Sequence, residues 1–369
     1  MSFMIIAYVI DCMYNSGGME RVLSVCANAL CQDVEVSIIT IYQMGRPCYF
    51  PIDDKIHCYD LGLENIANKK LLKKRMTDFL TGHHFDIVIS MGGIDMCYLP
   101  AIKDGSKKLF WFHFAIDIAK TAWSGPNPNL LKKIKAQLQT WKRIYYARKY
   151  DKIVVISKAD LEAWKKYTNK AVCVYNPVTI GNPVQADLSS KKVISVGRLS
   201  FEKGFDYLID VWGLVAKRHK DWLLDIYGDG PLTEQLQDQI DKHGLRNSVR
   251  LCGRTPNIAE KYAQHSIYVM GSRTEGLGLV LLEASACGLP LISYDCPSGP
   301  REIVTDGENG YLIPHVGDID AMAEKICLLI ENAELRKQMG EKAKQMVVKF
   351  SPLKIKEQWI NLFDSICKK

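Results

Sequence analysis

Two glutamates, Glu275 and Glu283, stand eight positions apart and enclose Gly276-Leu277-Gly278-Leu279. Residues of these types bind anions and hydroxyls. Glycines at a helix entrance let a ligand approach the backbone, and the unpaired N–H groups and positive dipole end of the first turn favour a phosphate. A carboxylate accepts well from sugar hydroxyls, so a glutamate on each side of such a turn suggests a nucleotide sugar. The spacing alone fits equally well a surface glutamate followed by a partly buried one.

Two cations strengthen the first reading. The run Val193 to Val196 ends at Gly197 and is followed by Arg198 and Lys203, ahead of a helix starting near Phe205. A guanidinium fork and a flexible ammonium can neutralise a diphosphate and stabilise it as a leaving group. Alone, they would read as solvated loop cations. Gly17 and Gly18 link the first strand to a helix, again permitting close approach to phosphate. Their spacing matches neither GxGxxG nor GxxxxGK[ST], which disfavours a nicotinamide dehydrogenase and a P-loop enzyme. Of eight histidines, His113 in Trp111-Phe112-His113-Phe114 has an aromatic strand-end setting that could bring it into a ligand site; the alternative is a packed histidine bonded to backbone. Tyr227-Gly228-Asp229-Gly230-Pro231 ends another strand and either borders the phosphates or simply turns the chain.

The elements that must position these residues are short apolar runs alternating with helical patterns. The first half has Phe3 to Ile10, Val34 to Ile41, Ile87 to Ser90, Leu109 to Phe112 and Ile153 to Ile156. The second has Lys192 to Val196, Leu223 to Tyr227, Val249 to Cys252, Ile267 to Met270 and Leu289 to Ser293. Repeated βαβ alternation implies an α/β chain with two Rossmann-like domains, their parallel sheets facing a central cleft. Residues 1–180 form the expected N-terminal domain and residues 181–350 the second, with the break in the Pro- and Gly-containing stretch Tyr175 to Ser190. Residues 351–369 read as an amphipathic helix that returns to the first domain.

A length of 369 residues suits two domains of ordinary size, and 47% hydrophobic with 24% charged residues describes a globular protein. The apolar start is short, lacks a basic leader and meets Asp11, so it reads as a strand rather than a signal peptide. Twelve cysteines show no zinc spacing or CxxC pair and read as reduced, mostly buried thiols of a cytoplasmic protein. The net charge of +7 is concentrated at one end: residues 1–185 hold 24 Lys and Arg against 16 Asp and Glu. An anionic partner suits that half, and without a zinc-finger or RNA-binding signature nucleic acid ranks last among the candidates.

Taken in order, the motifs resemble the retaining glycosyltransferases of family 4, which have the GT-B fold and an EX7E motif. The resemblance rests on Gly197-Arg198-Leu199 to Lys203-Gly204, Gly228 to Pro231, Gly253-Arg254, Ser272 to Gly278, Glu283 to Pro290 and Ser298 to Ile303. Gly17-Gly18-Met19-Glu20-Arg21 and His113 extend it more loosely into the first half. It implies that Arg198 and Lys203 hold a donor diphosphate, with Gly17 and Gly18 closing over it. By the same resemblance Glu283 binds ribose hydroxyls, and Glu275 with the amides of Gly276, Leu277, Gly278 and Leu279 binds the donor sugar. His113 would contact the sugar near the reacting carbon. Further implications are a hexose or N-acetylhexosamine taken from a nucleotide sugar, UDP first among the nucleotides, and no metal or other cofactor. The acceptor would be a glycan or lipid-linked oligosaccharide of bacterial cell-surface polysaccharide, met at the inner face of the plasma membrane.

Leu130 to Tyr150 puts Leu130, Leu131, Ile134, Leu138, Trp141 and Tyr145 on one helical face among seven cations. The preferred reading packs that stripe on the first domain's sheet; the alternative lays it, or the basic cluster of Lys69 to Arg75, on anionic lipid. Competing functions are a nucleotide-sugar epimerase or hydrolase of the same fold, and a catalytically silent sugar-nucleotide sensor. The sensor reading sits poorly with the presence of both Arg198 and Glu275.

Overall fold

The structure, a computed structural model, describes residues 4–64, 68–121, 125 and 128–367. Two compact units emerge: Met1–Ile116 with Leu138–Pro177 and Phe350–Lys369, and Asp117–Gln137 with Val178–Lys349. Phe3, expected in the first strand, and the last two residues of the expected terminal helix lie outside the described residues.

The first unit is built on a seven-stranded parallel sheet. Its elements begin β1 (Ile5–Ile10), α1 (Gly18–Leu30), β2 (Glu35–Thr40), β3 (His57–Asp60), α2 (Lys69–Gly82), β4 (Ile87–Ser90) and β5 (Lys107–Phe112). There follow, in chain order, α3 (Ile118–Thr121) and the start of α4 (Leu130–Ala147) as far as Gln137, which group with the second unit, and then, back in the first, the rest of α4, β6 (Lys152–Val155), α5 (Lys158–Lys165) and β7 (Ala171–Cys173). Strand order is β3-β2-β1-β4-β5-β6-β7. The inner strands are apolar on both faces because helices cover both, as parallel sheets require.

A six-stranded parallel sheet, ordered β10-β9-β8-β11-β12-β13, organises the second unit. Its elements are β8 (Lys192–Val196), α6 (Phe205–Arg218), β9 (Leu223–Tyr227), α7 (Thr233–Lys242), β10 (Val249–Gly253), α8 (Ile258–Ala263), β11 (Ile267–Met270), α9 (Leu279–Ala286), β12 (Leu291–Tyr294), β13 (Gly310–Ile313), α10 (Ile319–Glu331) and α11 (Ala333–Met346). Val193, Leu224, Ile226 and Ile292 of the strands meet Leu208, Trp212 and Val215 of α6 and Ile326 of α10 in its core.

Helix α12 (Pro352–Cys367) belongs to the first unit, where it packs on α1. Ile355, Trp359, Leu362 and Phe363 are buried, the Trp359 ring meets Trp111 edge-on at 4.8 Å, and Lys356 pairs with Asp33 at 2.6 Å. Three strands carried too little signal to be read from sequence. β3 and β13 are sheet edges, β3 with the polar run His57-Cys58-Tyr59-Asp60, and β7 has only three residues.

Two expectations need correction. The apolar stripe of α4 does not pack on the sheet: all six of its side chains stand exposed, because Ala136, Thr140, Arg143, Ile144 and Ala147 supply the inward face. Nor are the cysteines mostly buried; all twelve are free thiols, and five are buried. Among the described residues no helix is long and apolar enough to cross a membrane.

Candidate functional site

The strand orders reverse direction between β1 and β4 in one unit and between β8 and β11 in the other. Loops diverge at such switch points and leave a crevice at the carboxyl ends of the strands. The loops after β8 and β11 are those that carry Arg198, Lys203 and Glu275.

Close backbone contacts fix the loop after β8. Gly197 donates to the Tyr227 carbonyl at 3.0 Å, and Leu199 to that of Asp229 at 2.8 Å. A Cβ on Gly228 would lie 1.9 Å from the Gly197 oxygen, so the loops after β8 and β9 touch only because position 228 is glycine. Arg198 projects from this seam, exposed, and among the described residues no group bonds its guanidinium. A single 3-10 turn, Phe201–Lys203, ends at Gly204, whose φ of +61° opens α6 without a side-chain cap. A Cβ there would sit 1.9 Å from the Gly271 carbonyl, so the turn is pressed on the end of β11.

That contact brings Lys203 to Glu275. The ammonium donates to Glu275 Oε1 at 2.7 Å, and Ser272 Oγ donates to the same oxygen at 2.6 Å. Among the described residues nothing bonds Oε2. Burial alone would depress the Lys203 pKa, but the adjacent Glu275 carboxylate, with smaller help from Glu202 and Cys296, raises the value overall. Arg273 holds the two loops together. Its guanidinium forks onto Asp206, donates to the Phe201 carbonyl at 2.7 Å and lies 3.9 Å from the Tyr207 ring centroid, while its own N–H donates to the Glu202 carbonyl at 2.8 Å.

Glu275 also pairs through its backbone with Ser298, a non-glycine residue at φ +82°. Such a dihedral costs on the order of 1–3 kcal/mol and persists where the surroundings impose it. Here they do: Gly299 lies so near Leu277 that a Cβ would be 2.3 Å from the Leu277 oxygen. The buttressed turn Gly276-Leu277-Gly278 leads into α9 through Gly278 at φ +88°, and no side chain caps the helix. Glu283 lies on α9, 2% exposed, and accepts from Thr179 Oγ1 at 2.6 Å and Tyr262 OH at 3.2 Å.

In the first unit, Gly17 is the N-cap of α1 and Gly18 its first residue, with no side-chain cap. A Cβ on Gly17 would collide with the Glu20 carboxylate, which folds back across the helix entrance. His113 follows β5, its ring 4.5 Å from Trp111, and burial pushes its pKa down to about 3. Its Nε2 is buried and bonds nothing among the described residues. Burial also raises Asp11, just past β1, despite an N–H from Ile94 at 3.2 Å, and pushes Asp95 up to about 7.

Of the residues singled out in the sequence, then, Lys203 and Glu275 are in contact, Glu283 has partners of its own, and Arg198 has none among the described residues. Sequence reasoning quoted the run Ser272 to Gly278 without giving Ser272 or Arg273 a role, and it missed Thr179 and Tyr262, which reach Glu283 from separate segments. Asp11 left one signal, a carboxylate directly after an apolar strand. Among the described residues no three His, Cys, Asp or Glu side chains are grouped to hold a metal ion.

The sequence profile of the family described as glycosyl transferases group 1 matches residues 180–346. An uncharacterized glycosyltransferase of Haemophilus influenzae is 32% identical over 354 residues, covering 94% of this chain and 96% of that protein. The amylovoran biosynthesis glycosyltransferase AmsD of Erwinia amylovora is 27% identical over 378 residues, 96% of this chain and 98% of its own. In three dimensions the chain is similar to a TarM mutant of S. aureus, in complex with fondaparinux, alpha-GlcNAc-glycerol and UDP. The TM-score is 0.81 at 18% identity, over 98% of this chain and all of that one.

Proposed function

The chain belongs to the glycosyl transferases group 1 family and has the GT-B fold, and from that premise we propose that it transfers a hexose or N-acetylhexosamine from a nucleotide sugar, with UDP as nucleotide. The acceptor is a glycan or lipid-linked oligosaccharide of a cell-surface polysaccharide, and the anomeric configuration is retained. Amylovoran assembly by AmsD and the UDP held by TarM support the substrate classes.

The contact of Lys203 with Glu275, beside the uncapped entrance of α9, carries the reading. It sets a cation for phosphate next to a carboxylate for hydroxyls. Arg198, Lys203 and the first amides of α9 meet the charge that develops as the diphosphate departs. Glu275 Oε2 accepts from the sugar, with the Gly276, Leu277, Gly278 and Leu279 backbone beside it, and Glu283 accepts from ribose.

The acceptor hydroxyl bonds to the anomeric carbon on the face from which the phosphate oxygen leaves. Its proton passes to the departing diphosphate, so no enzyme nucleophile is required. The reading needs no metal and places the reaction in the cytoplasm, at the inner face of the plasma membrane.

The test is a panel of nucleotide sugars screened by thermal shift and then by transfer, with product configuration read by NMR. Stabilisation by UDP and an α product from an α donor are expected. An inverted product would overturn retention, and indifference to every nucleotide would overturn the donor class.

A further inference from the structure

Helix α4 is apolar on two sides. One side anchors it: Ala136, Thr140, Arg143, Ile144 and Ala147 are buried, and Arg143 donates to the Ile116 carbonyl at 3.1 Å with its guanidinium 4.8 Å from the Phe112 ring centroid. The other side carries Leu130, Leu131, Ile134, Leu138, Trp141 and Tyr145, with Leu131 76% and Trp141 53% exposed. These are six of the thirteen large apolar side chains exposed among the described residues, gathered on one face while the others are spread over the rest of the chain. Scattered exposed apolar residues need no explanation, whereas a contiguous strip marks an interaction surface.

The charge around the strip selects the partner. Lys135, Lys142 and Lys149 recur every seven residues, so they run along one edge of it. Among the described residues no carboxylate pairs with them, and Lys149 lies 4.2 Å from the Tyr145 ring centroid. From Pro128 to Tyr150 there are seven Lys and Arg and no Asp or Glu. A second copy of this chain would bring like charges together, which disfavours self-pairing. An apolar stripe with Trp and Tyr, edged by lysines and about 27 Å long, matches a helix lying in the interface of an anionic bilayer.

We propose that the outward face of α4 docks on an anionic lipid bilayer, apolar side chains entering the headgroup boundary and the lysine row meeting lipid phosphates. The purpose of such docking rests on the reading above that the acceptor is carried at a membrane.

The test is sedimentation of the full chain with phosphatidylcholine vesicles made with and without phosphatidylglycerol. Binding should require the anionic lipid and weaken with salt. The Leu138→Glu, Trp141→Glu variant should abolish it. Lys135→Gln, Lys142→Gln and Lys149→Gln should each weaken it about fivefold. Since these side chains are exposed, melting temperature and UDP binding should be unchanged in every variant. Absence of binding to anionic vesicles, or binding that survives the substitutions, overturns the proposal. So does concentration-dependent self-association that the same substitutions abolish, which would make the strip an interface between copies. Transfer to a soluble acceptor is measured separately; its persistence without vesicle binding would leave glycosyl transfer standing and sink only the docking.

Discussion

Replacing Glu275 with glutamine removes one negative charge and little volume, and the structure sets the size of the effect. Glu275 is 8% exposed and its Oε1 accepts from both Lys203 and Ser272, whereas the Lys203 side chain is 26% exposed. Breaking a fully buried pair costs about 3–5 kcal/mol. Water reaching Lys203 lowers that, and the amide oxygen keeps one acceptor, so a stability loss of about 2 kcal/mol is expected. If Oε2 also holds the sugar, the lost charged acceptor removes a further 2–3 kcal/mol or so in the transition state, a fall in kcat/KM of about 30- to 150-fold. Urea unfolding measures the first effect and donor kcat/KM the second, and a cycle with Lys203→Met isolates the pair. Near-wild-type transfer by a destabilised Glu275→Gln enzyme would show a purely structural pair and refute the assignment. Neutral-pH changes should not mimic the variant. The raised pKa of Lys203 means its stabilisation is complete below the ordinary lysine value of 10.5 and is lost only as pH rises through the higher folded value.

Arg198→Ala should leave unfolding within about 0.5 kcal/mol of wild type, because the side chain is exposed, yet reduce kcat/KM at least about tenfold in a donor titration. Gly204→Ala should cost at least about 3 kcal/mol, since the methyl adds a steric clash at 1.9 Å to the dihedral strain; Gly45→Ala, at φ +69° with nothing within 4 Å, should show about 1–2 kcal/mol from the dihedral alone. The buried His113, held down to about 3, stays neutral while its unfolded counterpart protonates below about 6.5, so stability should fall as pH drops through that window. In His113→Gln that part of the acid sensitivity should vanish from pH-dependent denaturation curves. Transfer should survive a metal chelator, and complete loss that magnesium restores would contradict the metal-free proposal.

The turns and inner strands that carry the candidate residues were legible in the sequence, because their signals are local. Glycine marks positions where a loop must take positive φ or touch backbone, as at Gly204, Gly228 and Gly278. Apolar runs of four to six residues marked the inner strands, since both faces of a parallel sheet are covered. What tertiary structure decided is who meets whom. Lys203 and Glu275, 72 residues apart, touch because β8 and β11 are neighbours at a switch point and two backbones close in at Gly204. Thr179 and Tyr262 reach Glu283 from two other segments, and no spacing rule connects them. Periodicity showed that α4 was amphipathic but not which side faced the protein. Arg143 and its small neighbours occupy the inward face, so the larger apolar side chains face solvent.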